Sequence, residues 1–197
     1  MHRTNFLRIF AIVGALAAYS AWSLSVKEPR PLLAEGSTTV PFPAEVQLIR
    51  LAEAERLYRL LMRSDPTDAS APFNLGNMLR AASRTIEAEA ALRAATRANP
   101  AFAEAWYNLA DLLDDQGRAE AAVECLRKAL LVAPDYMDAM FNLALMLQRK
   151  GSYAEAADNW RRYLIGDRAS EWAARARRSL KFCEIQVNSV AVTSGAA

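Results

Sequence analysis

Apolar residues between positions 69 and 170 recur every three or four residues, which is typical of helices that bury one face. The middle of this stretch contains two such faces on either side of Gly117, namely Trp106, Leu109, Ala110 and Leu113, and then Ala122, Leu126 and Ala129. Glycine is scarce, with 7 residues in 197, and residues that favour helix dominate. The pattern predicts an all-α protein.

The hydrophobic pattern repeats with a period of 34 residues, marked by Pro66, Pro100 and Pro134. Further positions keep the same phase: Phe73, Tyr107 and Phe141; Leu79, Leu113 and Leu147; Ala88, Ala122 and Ala156; Leu92, Leu126 and Trp160. Residues 34 apart are said below to share a column. Because a proline pushes the residue before it out of helical geometry, each unit is predicted to end at its proline. A fixed period of this size indicates stacked repeats.

These columns resemble the tetratricopeptide repeat family, whose pattern is W-x2-L-G-x2-Y, then A-x3-F, then P within 34 residues. The resemblance covers three units, residues 69–102, 103–136 and 137–170. It implies a short right-handed α-solenoid of three helical hairpins. The departures from the family pattern are Pro72 and Met140 at the tryptophan position, Ser83 at the turn glycine and Arg168 at the closing proline.

Both ends of the domain, residues 44–187, are predicted to be capping helices, over 44–64 and 170–187, because an end unit otherwise exposes its apolar face. In the second helix, which Ser170 can cap, the predicted apolar stripe is Trp172, Ala173, Ala176, Leu180 and Cys183. The basic residues Arg175, Arg177, Arg178 and Lys181 are interpreted as a solvated outer face. Residues 188–197 are predicted to be a disordered tail.

The N-terminal segment 1–26 holds eighteen uncharged residues, Ile9 to Val26, preceded by Arg3 and Arg8. This length suits either a cleaved signal peptide or a single transmembrane anchor, and we favour the anchor. Both interpretations place the domain outside the cytoplasm, in the periplasm if the protein is bacterial, although Lys27 and Arg30 nearly cancel the charge bias and leave the inverted topology open. Residues 27–43 contain four prolines and are predicted to be a linker.

Charge and cysteine content narrow the range of partners. The net charge is +2, and Arg3 and Arg8 supply both surplus charges, so the domain itself is neutral and nucleic acid is a poor candidate partner. Cys125 and Cys183 are far apart in sequence and form no C-x-x-C motif, which favours buried apolar thiols, while a disulfide stays open if the domain is exported.

Few residues could carry catalysis. The only histidine, His2, lies in the N-terminal segment, so histidine-based catalysis and a histidine metal site are excluded from the domain. The carboxylates of Asp111, Asp114 and Asp115 could hold a divalent metal, but a solvated acidic face near the turn explains the same residues and is the favoured interpretation. The sequence therefore predicts no catalytic residue, no metal and no cofactor.

The family resemblance implies a protein partner, held as a peptide or a helix in a concave groove that the first helix of each unit lines. Transferred column by column, the groove residues are Phe73, Asn77, Arg80, Tyr107, Asn108, Asp111, Asp114, Phe141, Asn142, Leu145 and Gln148. The alternative is that the aromatic residues are buried between units. Leu145 is unusual because it is apolar in a column that is otherwise polar.

Some family members use the groove as a clamp for C-terminal carboxylates. Asn77 and Asn108 occupy the asparagine columns of that clamp, but its basic columns hold Phe73, Asp138 and Asn142. Because no cation is left to pair with a terminal carboxylate, capture of a chaperone tail is not expected.

Three functional hypotheses follow. The leading one is an adaptor or scaffold that binds a segment of a partner protein. The second is an accessory subunit of a cell-envelope assembly complex, similar in layout to subunits of cytochrome c maturation, with membrane contact through the N-terminal segment if it stays uncleaved. The third, a metal-dependent hydrolase, depends on the aspartate cluster.

Overall fold

A computed structural model describes residues 44–194, so the predicted segment 1–26 and linker 27–43 lie outside the described residues. The chain divides into two compact units, Met1–Ala54 and Glu55–Ala197, and the described part of the first unit is helical. The elements are α1 (Ala44–Ser64), α2 (Ser70–Ala81), α3 (Thr85–Ala98), α4 (Ala103–Asp115), α5 (Ala119–Val132), α6 (Met137–Arg149), α7 (Tyr153–Gly166) and α8 (Glu171–Ser194). The prediction of an all-α protein is confirmed.

The helices of the second unit form three consecutive hairpins, α2–α3, α4–α5 and α6–α7, and α8 packs on the last of them. Each hairpin buries the same columns, which include Leu79, Leu113 and Leu147 on the first helices and Ala88, Ala122 and Ala156 on the second ones. The small alanine side chains let the paired helices approach closely. This is the α-solenoid that the repeat period predicts. No helix in the range 44–194 combines the length and the apolar character needed to cross a membrane.

The turn inside each hairpin has one conformation, repeated three times. Ser83, Gly117 and Gly151 share a column and have left-handed backbones, with φ of 60°, 73° and 80°. In each turn the amide of this residue donates to the carbonyl three residues back, and the next amide donates to the carbonyl five residues before it. This pattern ends a helix and suits glycine. Ser83 therefore adopts the left-handed conformation of its column, although it is not the glycine that favours this conformation.

The third unit closes without a proline, and Asp167 repeats a turn contact of Asp65 and Asn99 in the same column, whose side-chain oxygens also accept from the amide two residues on. The Asp167 carboxylate accepts hydrogen bonds from the amides of Ala169 and Ser170, at 3.3 and 3.1 Å, and from the hydroxyls of Ser170 and Tyr163. These bonds, led by the one from the Ser170 hydroxyl, lower the pKa of Asp167 to about 2. The Ser170 hydroxyl in turn accepts from the Ala173 amide at 3.1 Å, as expected of a helix cap.

The helix α8 is longer than predicted. Its residues Ala173, Ala176 and Cys183 are buried against the third hairpin, whereas Trp172 from the same predicted stripe is 50% exposed. The helix continues to Ser194, across most of the range 188–197 that the sequence predicts to be disordered. The physical reason is that neither glycine nor proline occurs from Glu171 until Gly195, so nothing in the sequence stops the helix earlier.

At the other end, α1 continues the register of the second helices. Glu55 forms ion pairs with Arg59 and with Arg84, which lies 29 residues further along the chain. Glu89, in the same column as Glu55, pairs in the same way with Arg118, again 29 residues further along. The pKa of the Glu55 carboxyl is lowered, chiefly by the hydrogen bond from Arg84. The C-terminal half of α1 therefore acts as the second helix of a unit that lacks its first helix.

Candidate protein-binding face

The predicted groove residues lie on the first helices of the three hairpins, α2, α4 and α6. We call the surface that these helices share the concave face. Its three main columns contain Phe73, Tyr107 and Phe141; Asn77, Asp111 and Leu145; and Arg80, Asp114 and Gln148. The residues of one column are separated by one repeat, so neighbouring members can contact each other or a common partner.

The aromatic column changes its role along the face. Phe73 packs against Phe102 with ring centroids 4.7 Å apart, and Tyr107 packs against Tyr136 at 5.1 Å, and both of these column residues are half-buried. Phe141 is only 7% exposed. This burial favours the alternative of packing between units at this position, and the role of Phe141 in the groove stays a prediction.

Phe141 is buried because the end of the array covers it. Trp160 of α7 and Trp172 of α8 both meet its ring edge to face, at centroid distances of 4.8 and 5.3 Å. Arg175 lies above the same ring, 5.7 Å from its centroid. A partner cannot reach Phe141 while α8 remains docked on the third hairpin.

The asparagine and tyrosine side chains form hydrogen bonds between neighbouring units. The Asn108 amide donates to the Asn77 side-chain oxygen at 2.8 Å, and the Asn142 amide donates to the Tyr107 hydroxyl at 3.1 Å. These four predicted groove residues therefore hold the first helices in register. Their remaining donors and acceptors are what a partner could use.

Charged residues form a second set of links on the same face. The Arg80 guanidinium lies 2.7 Å from both the Asp111 and the Asp115 carboxylates, and Arg149 lies 2.7 Å from Asp114. Asp115 and Arg149 are not among the predicted groove residues. Their spacing could have identified them, because Arg80–Asp115 and Asp114–Arg149 are both pairs of opposite charge 35 residues apart.

The concave face is negative overall. One guanidinium, Arg80, serves two carboxylates, and the exposed Glu104 and Asp138 in the first turns of α4 and α6 form no ion pair with another described residue. Burial, together with the carboxylates of Asp111 and Asp138, raises the pKa of Tyr107 to about 12. The pKa of Tyr136 is raised by burial and by its neighbours, which include Asp138 and Glu104.

At the C-terminal end of the face, two predicted residues differ in availability. Gln148 accepts hydrogen bonds from the Trp160 indole at 3.3 Å and from the Cys183 thiol at 3.7 Å, so α7 and α8 occupy it. Leu145 is half-buried, like Phe73 and Tyr107, and it is an aliphatic residue in a column that is otherwise polar. It is the apolar contact point that the face offers.

The described residues 44–194 contain no group of three or more histidine, cysteine, aspartate or glutamate side chains placed to hold a metal ion. Asp111, Asp114 and Asp115 are instead paired with Arg80 and Arg149. Cys125 and Cys183 are free, buried thiols on α5 and α8, and burial raises the pKa of both. What the arrangement offers chemically is ionic and hydrogen-bonding contact with another polypeptide.

Comparison with known proteins supports this description of the fold. The family model "tetratricopeptide repeat" matches residues 73–130 and 107–171, which together span half of the chain. Among curated proteins no match is found. Many solved structures are similar, and three of them follow.

The first of these structures is MamA, with a TM-score of 0.59 and 20% identity over 71% of this chain and 80% of that one. The second is YrrB, described as a TPR protein with an unusual peptide-binding site, with a TM-score of 0.60 and 20% identity over 73% of this chain and 72% of that one. A tetratricopeptide repeat protein from Parabacteroides merdae has a TM-score of 0.62 and 21% identity, over 71% of this chain and 56% of its own. At this identity the likeness concerns the fold.

Proposed function

Because the chain belongs to the tetratricopeptide repeat family, we propose that it is a scaffold that binds a helix or an extended segment of a partner protein on its concave face. The observation that carries this proposal is the cross-linking of the first helices by side chains of the face itself, through Asn77–Asn108, Tyr107–Asn142 and Asp114–Arg149. Such links hold a surface in shape before the partner arrives, which lowers the entropic cost of binding.

The exposed side chains indicate how a partner would be held. Leu145 provides an apolar contact, and the carboxylates of Asp111 and Asp115 remain partly exposed although they share Arg80. The structural neighbour YrrB, whose description includes a peptide-binding site, is a precedent for peptide binding by this fold. The absence of a cation in the clamp columns directs the proposal away from free C-terminal carboxylates.

A capture experiment with a matched control tests the proposal. Leu145→Asp places a charge on the concave face, whereas Leu131→Asp places the same charge on α5 at a side chain that is 82% exposed. We expect Leu145→Asp to abolish capture of the partner from the native source and Leu131→Asp to leave it unchanged, with both variants keeping the helical circular dichroism of the parent. Equal capture by both variants would refute binding on this face.

We also propose that the domain works outside the cytoplasm, tethered by the apolar segment 9–26. This rests on the length of the segment and on the positions of Arg3 and Arg8. An alkaline phosphatase fusion after residue 43 should be active in a bacterial host, because that enzyme folds only outside the cytoplasm. An inactive phosphatase fusion, together with an active cytoplasmic reporter at the same position, would reverse the topology.

A further inference from the structure

The outer face of α8 combines positive charge with exposed apolar side chains. This end face consists of Arg177, Arg178, Lys181, Phe182 and Ile185. Phe182 and Ile185 are 44% and 54% exposed. Within the described part of the chain, no carboxylate forms an ion pair with the three cations, and Arg177 donates to the backbone carbonyl of Arg168.

The repeat columns explain why this face is unlike the rest of the array. In the three hairpins, the first helix packs on the second through a column of Gly76, Ala110 and Ala144 and a column of Leu79, Leu113 and Leu147. The helix α8 has the register of a fourth first helix, and it places Arg178 and Lys181 in these two columns. Two cations thus replace the apolar seam, so a further hairpin of the same kind cannot pack there. A surface that fits this face must be acidic with an apolar centre.

The concave face has that chemistry. Its exposed carboxylates include Glu104 and Asp138 as well as Asp115, which is paired with Arg80, and the half-buried Leu145 belongs to the same face. We propose that the end face of α8 in one copy docks onto the concave face of a second copy, so that the chain is its own partner. This inference rests on the proposed function, because it names the occupant of the same face.

Charge also selects between the two ways in which copies could join. Stacking of α8 onto the α1 end of the next copy would bring Arg178 and Lys181 towards the exposed Arg56 and Arg63 of α1. Like charges in contact disfavour that arrangement. Docking onto the concave face pairs opposite charges instead. Because the two docking surfaces are different, a single contact leaves one surface of each kind free, and repeated contacts can build open chains or rings.

Sedimentation velocity of the full chain tests the proposal. We expect the average mass to rise with concentration at about 50 mM NaCl and to fall towards the monomer at about 500 mM, since salt screens the charge pairs. Arg178→Glu with Lys181→Glu should weaken self-association about tenfold or more, because two attractions become repulsions. Glu104→Lys with Asp138→Lys, which breaks no ion pair among the described residues, should do the same.

Complementation separates the proposed contact from a general charge effect. Mixing the two variants, or combining all four substitutions in one chain, should restore association, because acidic and basic surfaces then match again. The matched control is Arg97→Glu with Arg162→Glu, which gives the same change in net charge at exposed side chains of α3 and α7 that form no ion pair among the described residues, and it should leave association unchanged.

A wild-type chain that stays monomeric at low salt would overturn the self-docking proposal, as would association that survives either double variant. Neither result decides the outcome of the capture experiment with Leu145→Asp, because that experiment can also detect a partner other than a second copy. Loss of capture of a foreign partner by Leu145→Asp, in a chain that remains monomeric, would therefore support the scaffold and refute self-docking.

Discussion

The turn inside the first hairpin offers a test of the repeat register at a single residue. Ser83 has φ of 60° in the column where the other two units have Gly117 and Gly151, and its side chain is exposed. Ser83→Gly should therefore relieve the turn without removing any packing. Gly117→Ser is the reciprocal change, which places a side chain in open space because no atom lies within 4 Å of the position that its Cβ would take.

The magnitude follows from two opposing effects. A left-handed backbone destabilises the folded state by about 1–2 kcal/mol for a residue with a Cβ. Glycine avoids this strain, but its greater freedom in the unfolded chain lowers stability by about 0.5–1 kcal/mol. We expect Ser83→Gly to raise the free energy of unfolding by about 0.5–1 kcal/mol and Gly117→Ser to lower it by about the same amount. The two variants should thus differ by about 1–2 kcal/mol.

Urea denaturation followed by circular dichroism at 222 nm measures both values, and the m-value shows whether the array still unfolds as one unit. Ser83→Ala serves as the control, because it keeps the strained backbone and should change stability little. A destabilising Ser83→Gly, or a neutral Gly117→Ser, would show that the turn conformation does not limit stability and would contradict this account of the column.

The remaining predictions concern buried groups. Arg84→Gln should lower the free energy of unfolding at neutral pH, since it removes the main partner of Glu55. This contribution is present above the ordinary pKa of 4.5 and disappears as the pH falls through the lowered folded value, so the variant and its parent should converge in acid unfolding curves. Trp160→Ala, at a fully buried side chain, should cost about 3–5 kcal/mol in the same urea experiment. Iodoacetamide should label Cys125 and Cys183 slowly at neutral pH until urea unfolds the chain, and rapid labelling of the native protein would contradict their burial.

The fold was predictable because the buried columns are periodic in the sequence. The alanine and leucine columns, which hold for example Ala122 and Leu113, specify a hairpin by their spacing alone. The closing turn of the third unit was predictable in part, since Asp167 shares its column with Asp65 and Asn99, whose side chains accept the same bond from the amide two residues on. The further bonds that Asp167 accepts from Tyr163 and Ser170 do not follow from the column. The length of α8 was underestimated, although no glycine or proline interrupts the helix before Gly195.

The sequence columns predicted which residues lie on the concave face, but they did not predict which of these residues contact each other. Asn77 and Asn108 were assigned from the family pattern, and the structure places them in a mutual hydrogen bond. Phe141 shares a column with Phe73 and Tyr107, yet it is buried because Trp172 from the following helix covers it. Burial of this kind depends on which helix packs next to the hairpin, and the spacing of residues within a column does not reveal the side chains of that helix.

The central claim is that the concave face binds protein, and site-specific photo-crosslinking tests it most directly. A photo-reactive residue at the position of Leu145 should give a discrete cross-linked product with a partner protein or with a second copy, and the same residue at the position of Leu131, on α5, should not. A product of equal yield at both positions, or none at Leu145 under conditions where the partner is captured, would contradict the account.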